Sequence, residues 1–320
     1  MEATLHIFLQ QCLYGLVLGC VYAIIALGYT MVYGILRIIN FAHGEILMIG
    51  AMVTLSAVSV LQNHFPGLGN VTVLLLGLVI AAGVCGVLGY SIERMAYRPL
   101  RGAPRLAPLI TAIGISIILQ TLAMMIWSRN PLPFPQLIPP GSIQLLAANG
   151  DAPGAMLSVT DFVILATAVA LMTGLYLLVN HTPLGRAMRA TAENPAAASL
   201  MGVSPNFVIS ATFVIGSALA SVAGVMIACQ YGNVNFYMGF IPGLKAFTAA
   251  VLGGIGNLGG AMVGGILLGL IEQLGSGYVG RLSGGVFGSH YQDVFAFLVL
   301  IGVLLFRPAG LLGERTADRA

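Results

Sequence analysis

Charged side chains are scarce in this sequence, and that scarcity excludes a large class of folds. Only 7% of its 320 residues are charged, whereas 58% are hydrophobic. About a quarter of the residues of a soluble domain are charged, so a soluble globular fold is excluded. The 42 glycines favour closely packed helices, because the strands of a membrane barrel would alternate in polarity over about 10 residues. The composition therefore predicts an all-α polytopic membrane protein.

The sequence also lacks the motifs of several enzyme classes. Lys245 is its sole lysine, so there is no GxxxxGK[ST] phosphate-binding loop through which the chain could bind ATP. It contains no HExxH motif, no GxSxG in a strand context and no metal-spaced Cys/His cluster. We therefore expect a protein that is not an enzyme and that holds no metal and no cofactor in this chain.

Paired cysteines and basic patches are lacking as well. The cysteines lie inside apolar runs without paired spacing, which argues against a disulfide framework or a zinc site. They are Cys12, Cys20, Cys85 and Cys229. The arginines are explained by membrane orientation, so we expect no nucleic-acid partner. No Lys or Arg precedes Arg37, so the positively charged start of a signal peptide is missing and the first apolar run is not predicted to be cleaved.

Eight apolar runs are long enough to cross a membrane, which takes about 20 residues. They lie near 9–30, 44–61, 71–92, 107–127, 161–180, 207–230, 245–274 and 291–306. The seventh run is unusually long and is broken by glycines, so we interpret 245–275 as two crossings or a re-entrant pair. The total is then 7–10 crossings, depending on this segment, in a single transmembrane domain of residues 1–320.

The arginines orient these segments, because basic loops remain on the cytoplasmic side. They cluster after the third and fifth runs and at the end of the chain, as Arg94, Arg98, Arg101, Arg105, Arg186, Arg189, Arg307, Arg315 and Arg319. The Pro-rich loop 128–160 is then periplasmic. With these loops on their assigned sides, the sixth run ends on the same side on which the eighth run begins. The seventh run must therefore enter and return on that side, which one full crossing cannot do.

The loop 182–205 is the longest polar interruption that carries positive charge. Within it, Asn194 followed by Pro195 predicts a helix start, because Asn caps free N–H groups and Pro at the first position has none. Gly202 suits the left-handed conformation that ends a helix, and Ser204-Pro205 repeats the start signal. A helix this short is not stable alone in water. The sequence leaves open whether it docks on a partner or belongs to an ordinary structured loop.

Polar residues interrupt the start of the second run at Asn40, His43 and Glu45. Asn40 can cap a helix that begins at Phe41. His43 and Glu45 are two residues apart and point to different faces of that helix, so they are not a catalytic pair. An ionisable group at membrane depth is costly unless it faces a cavity or a partner, which makes Glu45 a candidate translocation-path residue. The alternative is that Glu45 lies at the interface and reaches water.

Two further ionisable residues fall in the seventh run. Lys245 and Glu272 lie near its ends and are candidates for the same path. Lys245 has an alternative, which is simple hydration at the outer edge. Glycines recur every fourth residue in the same run, at Gly256, Gly260 and Gly264, and this spacing favours close helix packing over a direct substrate role.

Four stretches resemble one transporter family. They are NFAHGE at 40–45, GRAMRATAENPAAASLMGV at 185–203, LKAFTAAVLGGIGNLGGAMVGG at 244–265 and RPAGLLG at 307–313. These stretches are similar to those of the membrane permease subunit of branched-chain amino acid ABC importers, and the resemblance runs nearly end to end. It implies a permease that forms the translocation path in the bacterial inner membrane.

The resemblance also implies a role for the polar loop. In that family the equivalent of 185–203 is the cytoplasmic coupling element, related to the EAA loop, that docks on the ATP-binding subunit. The residues implied in coupling are Arg186, Arg189, Glu193, Asn194, Ala197 and Gly202, of which Glu193, Ala197 and Gly202 stand at the Glu, Ala and Gly positions. The sequence has Glu-Asn-Pro rather than Glu-Ala-Ala, so the detailed contacts of the wider motif do not transfer.

The partners implied by the resemblance are a second permease subunit, two cytoplasmic ATPases that bind ATP, and a periplasmic substrate-binding protein. The implied substrate is leucine, isoleucine or valine. Related permeases carry urea, amides or another neutral amino acid on the same scaffold. A stand-alone secondary transporter or channel, and a structural membrane subunit without a pathway, are the alternatives from other classes.

The arginine distribution makes a testable prediction about orientation. Single cysteines introduced at Ala103 and Gly150, in a background without the native cysteines, should be labelled from opposite sides of the membrane by an impermeant thiol reagent. Right-side-out and inverted vesicles provide the measurement. Labelling of both positions from one side would contradict the predicted orientation.

Overall fold

The computed structural model describes residues 2–104, 106–144, 155–282, 291–307 and 309–313. Its helices are α1 (Glu2–Leu36), α2 (His43–His64), α3 (Asn70–Ile92), α4 (Leu106–Ile126), α5 (Val159–His181), α6 (Pro183–Glu193), α7 (Pro195–Leu200), α8 (Pro205–Tyr231), α9 (Phe240–Gly253), α10 (Leu258–Leu282) and α11 (Gln292–Phe306). A π-helical turn, Glu93–Tyr97, and a 3-10 turn, Arg98–Leu100, continue α3. Four of the positions used above, Arg105, Gly150, Arg315 and Arg319, lie outside the described residues.

The helix lengths confirm the predicted all-α polytopic membrane protein. Within the described ranges, seven helices are long and apolar enough to cross a membrane, namely α1, α2, α3, α4, α5, α8 and α10. Helices α9 and α11 are apolar but shorter. The 14 residues of α9, at about 1.5 Å per residue, reach about 21 Å, which is less than the roughly 30 Å hydrocarbon core of a bilayer.

Short strands were not predicted in the polar segments, but the structure contains two antiparallel pairs. Strand β1 (Leu132–Pro133) pairs with β4 (Asn233–Val234). Strand β2 (Ser142–Gln144) pairs with β3 (Met156–Ser158). Pairs of two and three residues are too short for the sequence to show the alternation that identifies a strand.

The chain forms two compact units. The first comprises Met1–Ala26, Pro139–Ala170 and Lys245–Ala320, and the second comprises Leu27–Ile138 and Leu171–Leu244. In the first unit α1 packs on α10 at glycines: a Cβ added to Gly19 would lie 2.8 Å from the Cα of Ile266. The glycines of α10 that face α1 are Gly265 and Gly269. The two backbones therefore approach closely, as small residues allow in a membrane.

The second unit is built around α2, α3 and α8. A Cβ added to Gly50 of α2 would lie 2.5 Å from the Cα of Ser221 of α8. Gly89 of α3 similarly faces Ser217 of α8 and leaves no room for a side chain. Small residues thus set the spacing of all three helices, whose inward faces are almost fully buried.

The glycine-rich seventh run folds as two helices, as predicted, and its first helix begins at Phe240, ahead of the predicted boundary at 245. The turn between α9 and α10 has left-handed φ angles of +109° at Gly254 and +98° at Gly256, which glycine adopts without strain. Gly260 and Gly264 pack against Gly253 and Ala249 of α9. The expectation that Gly256 belongs to the same packing stripe is wrong, because Gly256 lies in the turn, where an added Cβ would meet no atom within 4 Å.

The end of α9 also lies beside the segment that follows α11. The N–H of Leu311 donates to the carbonyl of Leu252 at 2.8 Å, and the Leu312 N–H donates to the Gly253 carbonyl at 2.9 Å. The Asn257 amide donates to the Leu312 carbonyl at 2.9 Å. The C-terminal ends of α9 and α11 therefore lie side by side, and α9 and α10 form a helical hairpin, the arrangement expected of a run that enters and returns.

Candidate functional site

The second unit contains a cavity of ≈ 310 Å³. Its lining residues are Tyr29, Phe41, Gly44, Glu45, Ile113, Ser116, Gly239, Phe240, Gly243 and Leu244. They come from α1, α2, α4 and the start of α9, together with Phe41 just before α2 and Gly239 just before α9. Most of the wall is apolar or glycine, and Glu45 is the one carboxylate among these lining residues. Small-molecule sites are commonly clefts of about 300–1,000 Å³ with apolar walls and a few polar groups, and this cavity has that character.

Three glycines bring the cavity walls together. A Cβ added to Gly44 of α2 would lie 2.5 Å from the carbonyl oxygen of Gly239, and one added to Gly243 would lie 3.0 Å from the Cα of Gly44. Side chains at these positions would push α2 away from the start of α9. The cavity therefore depends on backbone contact at its rim.

Glu45 is held by two polar side chains of α4. Its Oε1 accepts hydrogen bonds from the Ser116 hydroxyl at 3.1 Å and from the Gln120 amide at 2.7 Å. Ser116 and Gln120 are four residues apart and share one face of α4. The carboxylate is 1% exposed, so the alternative that Glu45 reaches water at an interface is wrong. Its Oε2 is buried with no hydrogen-bond partner among the described residues.

Asn40 and His43 are buried beside the cavity but are not among its lining residues. Asn40 was expected to cap α2, but Ala42 is the N-cap residue and α2 begins at His43. The Asn40 Oδ1 accepts from the Ala42 N–H at 3.1 Å and from the Tyr97 hydroxyl at 2.9 Å. The His43 ring packs edge-on against Tyr29 at 4.8 Å between centroids. Both residues thus position the start of α2.

In the first unit, Lys245 is at the centre of a buried ion-pair cluster. Its Nζ lies 2.5 Å from Glu272 Oε1 and 2.6 Å from Asp293 Oδ1. The hydroxyl of Tyr22 donates to Glu272 Oε1 at 3.3 Å. Lys245 is 6% exposed, so its expected hydration at an outer edge is wrong. Glu272 is fully buried in the middle of α10, not near an end.

The loop 182–205 contains two helices, α6 and α7. The predicted short helix is confirmed as α7: Asn194 Oδ1 accepts from the N–H groups of Ala196 and Ala197, each at 3.0 Å, and Gly202 has φ +82°. Helix α6 was missed, although Thr182-Pro183 is the same type of start signal, and Thr182 Oγ1 accepts from the Gly185 N–H.

The predicted coupling residues differ in their surroundings. The exposed ones include Arg186, Glu193, Asn194, Ala197 and Gly202. The guanidinium of Arg189 donates to the Val179 carbonyl and so connects α6 to the end of α5. The sequence reasoning missed the two large apolar side chains at the tip of α7. They are Leu200, 88% exposed, and Met201, 84% exposed.

The first turns of α8 are fastened to the connection between α3 and α4. The buried Glu93 pairs with Arg101 and accepts from the Ser210 hydroxyl at 2.6 Å. Arg101 also donates to the Asn206 side chain at 2.6 Å. Because only four residues separate α7 from α8, this cluster holds the exposed loop next to the helices α2, α3 and α8 of the second unit.

The seven long apolar helices among the described residues define a polytopic membrane protein. The family described as branched-chain amino acid transport system / permease component matches residues 11–304 of the sequence. The chain belongs to this family of permease components.

Individual relatives agree with that family over nearly the whole chain. The chain is 46% identical over 313 residues to the high-affinity branched-chain amino acid transport system permease protein BraD of Pseudomonas aeruginosa, covering 98% of each. It is 42% identical over 312 residues to LivH of Escherichia coli K12, a permease protein of the same description, covering 98% of this chain and 97% of LivH. The autoinducer 2 import system permease protein LsrC of Yersinia enterocolitica is 34% identical over 140 residues, 42% of this chain and 38% of LsrC.

The lysine cluster makes a testable prediction about stability. Lys245→Met should lower the free energy of unfolding by about 3–5 kcal/mol, because it leaves the buried Glu272 carboxylate without its cation. Unfolding in SDS, followed by circular dichroism, measures the change. The double variant Lys245→Met/Glu272→Gln should recover part of the loss, since it removes the unpaired charge. Equal stability of the single variant and the original protein would contradict a stabilising role for the cluster.

Proposed function

We propose that this chain is the membrane-spanning permease subunit of a binding-protein-dependent ABC importer that carries branched-chain amino acids across the bacterial inner membrane. The observation that carries the proposal is the apolar cavity with a single buried carboxylate, in a chain of this permease family. BraD and LivH, which match it nearly end to end, are permease proteins of high-affinity branched-chain amino acid systems.

The chemistry of the cavity fits a neutral, largely apolar amino acid. Phe41, Ile113, Phe240 and Leu244 offer apolar walls to an aliphatic side chain. A substrate with a large net charge would need several opposite charges along its path, and the lining residues provide only Glu45. A path with few polar groups also releases its substrate readily, while a separate periplasmic binding protein supplies affinity.

The exposed loop fits a coupling surface. Helix α7 presents Leu200 and Met201 to the outside next to Glu193 and Gly202. Large apolar side chains rimmed by polar residues mark protein-protein contacts. We assign this surface to one of two cytoplasmic ATPases, which bind the ATP, and we assign a second permease subunit and a periplasmic binding protein to the remainder of the complex.

The second candidate function is the import of another neutral substrate, such as urea, an amide or a different amino acid, by a permease of the same fold. The partial match to LsrC, an autoinducer 2 import permease, favours keeping this candidate, because it relates this chain to a permease protein with a different cargo. A stand-alone secondary transporter is less favoured, because it would not need the exposed apolar surface of α7. Uptake that survives ATP depletion would identify such a transporter.

Substitutions in the coupling surface should separate assembly from membrane insertion. Glu193→Lys reverses a charge on that surface. Gly202→Val places a β-branched residue at φ +82°, at a cost of about 1–2 kcal/mol, and distorts the end of α7. Both variants should reach the membrane in normal amounts but lose ATPase co-purification and transport.

The matched control for the coupling variants is Gly102→Val, which makes the same substitution at a glycine with no neighbouring atom within 4 Å and no positive φ. It should keep transport and the bound ATPases. Unchanged co-purification of ATPases with both Glu193→Lys and Gly202→Val would count against the assignment of this surface.

Reconstitution in liposomes tests which substrate the complex transports. The two permeases, the ATPases and the binding protein in liposomes should take up labelled leucine in an ATP-dependent manner, and labelled urea should remain outside. Uptake of urea but not of leucine would contradict the assignment of a branched-chain substrate, while the assignment as an importer would still hold. Leucine uptake that continues without ATP would instead favour a secondary transporter.

A further inference from the structure

The cavity presents a carboxylate that is held at one oxygen and unsatisfied at the other. Ser116 and Gln120 both donate to Oε1 of Glu45, while Oε2 has no hydrogen-bond partner among the described residues. Buried polar atoms are nearly always satisfied, so an exception at a cavity wall requires a physical explanation. The two donors of α4 fix the direction of the carboxylate and leave one acceptor for a further donor.

The charge of the lining residues indicates which kind of donor the Oε2 of Glu45 would bind. The ten lining residues include one acidic side chain and no lysine, arginine or histidine. Their walls are apolar, and a charge in a medium of low dielectric constant attracts an opposite charge more strongly than it does in water. The cavity therefore favours a cationic group over an anionic or neutral one.

We propose that Glu45 is a specificity-determining residue that binds the ammonium group of the transported amino acid, with Oε2 as the acceptor; the inference rests on the proposed function. Apolar residues of the same cavity, Ile113, Phe240 and Leu244, then receive the aliphatic side chain. An amine with an aliphatic tail satisfies both the carboxylate and the wall. Urea and simple amides can donate an N–H to Oε2 but carry no cation, so their hydrogen bond to the carboxylate is weaker than the charge-assisted bond of an ammonium group.

A single ion pair also fits passage through the cavity. Glu45 is the one charged contact in the lining, so the substrate is oriented by its ammonium end without being held by several groups at once. In contrast, Lys245 in the first unit already has two carboxylates within 2.6 Å. Its charge is satisfied within the protein and is not offered to a substrate.

The variant that tests the proposal is Glu45→Gln. It keeps the side-chain volume, and its amide oxygen can still accept from Ser116 and Gln120, so the helix contacts are preserved while the charge is removed. In the reconstituted complex, leucine uptake should fall about tenfold or more, corresponding to the loss of one charged contact. ATP hydrolysis stimulated by the leucine-loaded binding protein should remain within about twofold of the original complex.

The matched control is Asp161→Asn, the same exchange at another buried carboxylate. Asp161 Oδ2 accepts from the N–H and the hydroxyl of Ser158 at the start of α5. Asp161 lies outside the cavity lining, and the amide oxygen of an asparagine can accept the same two bonds. This variant should transport leucine at the original rate. Leucine uptake by Glu45→Gln equal to that of the original complex would overturn the proposal. Parallel loss of uptake and ATP hydrolysis would also overturn it, because that result indicates a structural role.

A second measurement uses the unaltered complex and so does not depend on the folding of a variant. Saturation-transfer NMR of the complex without binding protein should detect leucine and 3-methylbutylamine, which carry the ammonium group, in competition with one another. It should not detect competition by 4-methylpentanoate, which has the same tail and no amine. Competition by 4-methylpentanoate but not by 3-methylbutylamine would overturn the proposal. Absence of leucine uptake by the unaltered complex would overturn the proposed function itself, and the inference with it.

Discussion

The hydrocarbon core of a membrane contains no water, so every polar group placed there must find its partner within the protein. Burial of apolar surface gives little drive for association between helices in that environment, and close packing of backbones takes its place. Glycines therefore carry much of the architecture. In the first unit they let α1 approach α10, and in the second they let α2 and α3 approach α8. In the helical hairpin of α9 and α10, glycines allow close packing between the two helices and also adopt the left-handed φ angles of the turn.

The same constraint separates two kinds of buried charge. In the first unit Lys245 pairs with Glu272 and with the half-exposed Asp293, and Tyr22 donates to Glu272, so that four helices meet at one electrostatic cluster. In the second unit Glu45 is only half satisfied and faces a cavity. Glu272 has a cation beside it and lies outside the cavity lining, whereas Glu45 lines open space without a cation and is therefore suited to receive a ligand.

The helices of the exposed loop 182–205 lie outside the apolar spans, so other contacts hold them in place. Helix α6 is fixed by the Arg189 contact to the end of α5, and α7 is capped at both ends. Helix α8 begins after a four-residue turn, 201–204, and is held by Glu93 and Arg101 at its first turns. A short turn thus connects the exposed tip at Leu200 and Met201 to α8, one of the core helices of the second unit.

The sequence by itself determined the features that depend on neighbours along the chain. Composition identified a polytopic membrane protein, the Asn194-Pro195 pair located the start of α7, and clustered glycines located the break between α9 and α10. The tertiary structure alone decided which side chains meet: Glu45 finds its donors 71 and 75 residues away, and Lys245 finds Glu272 27 residues away. These spans are apolar on all sides, so no amphipathic stripe specifies their rotation. The partners of a buried charge follow from how the helices pack, and that is a property of the whole fold rather than of any one segment.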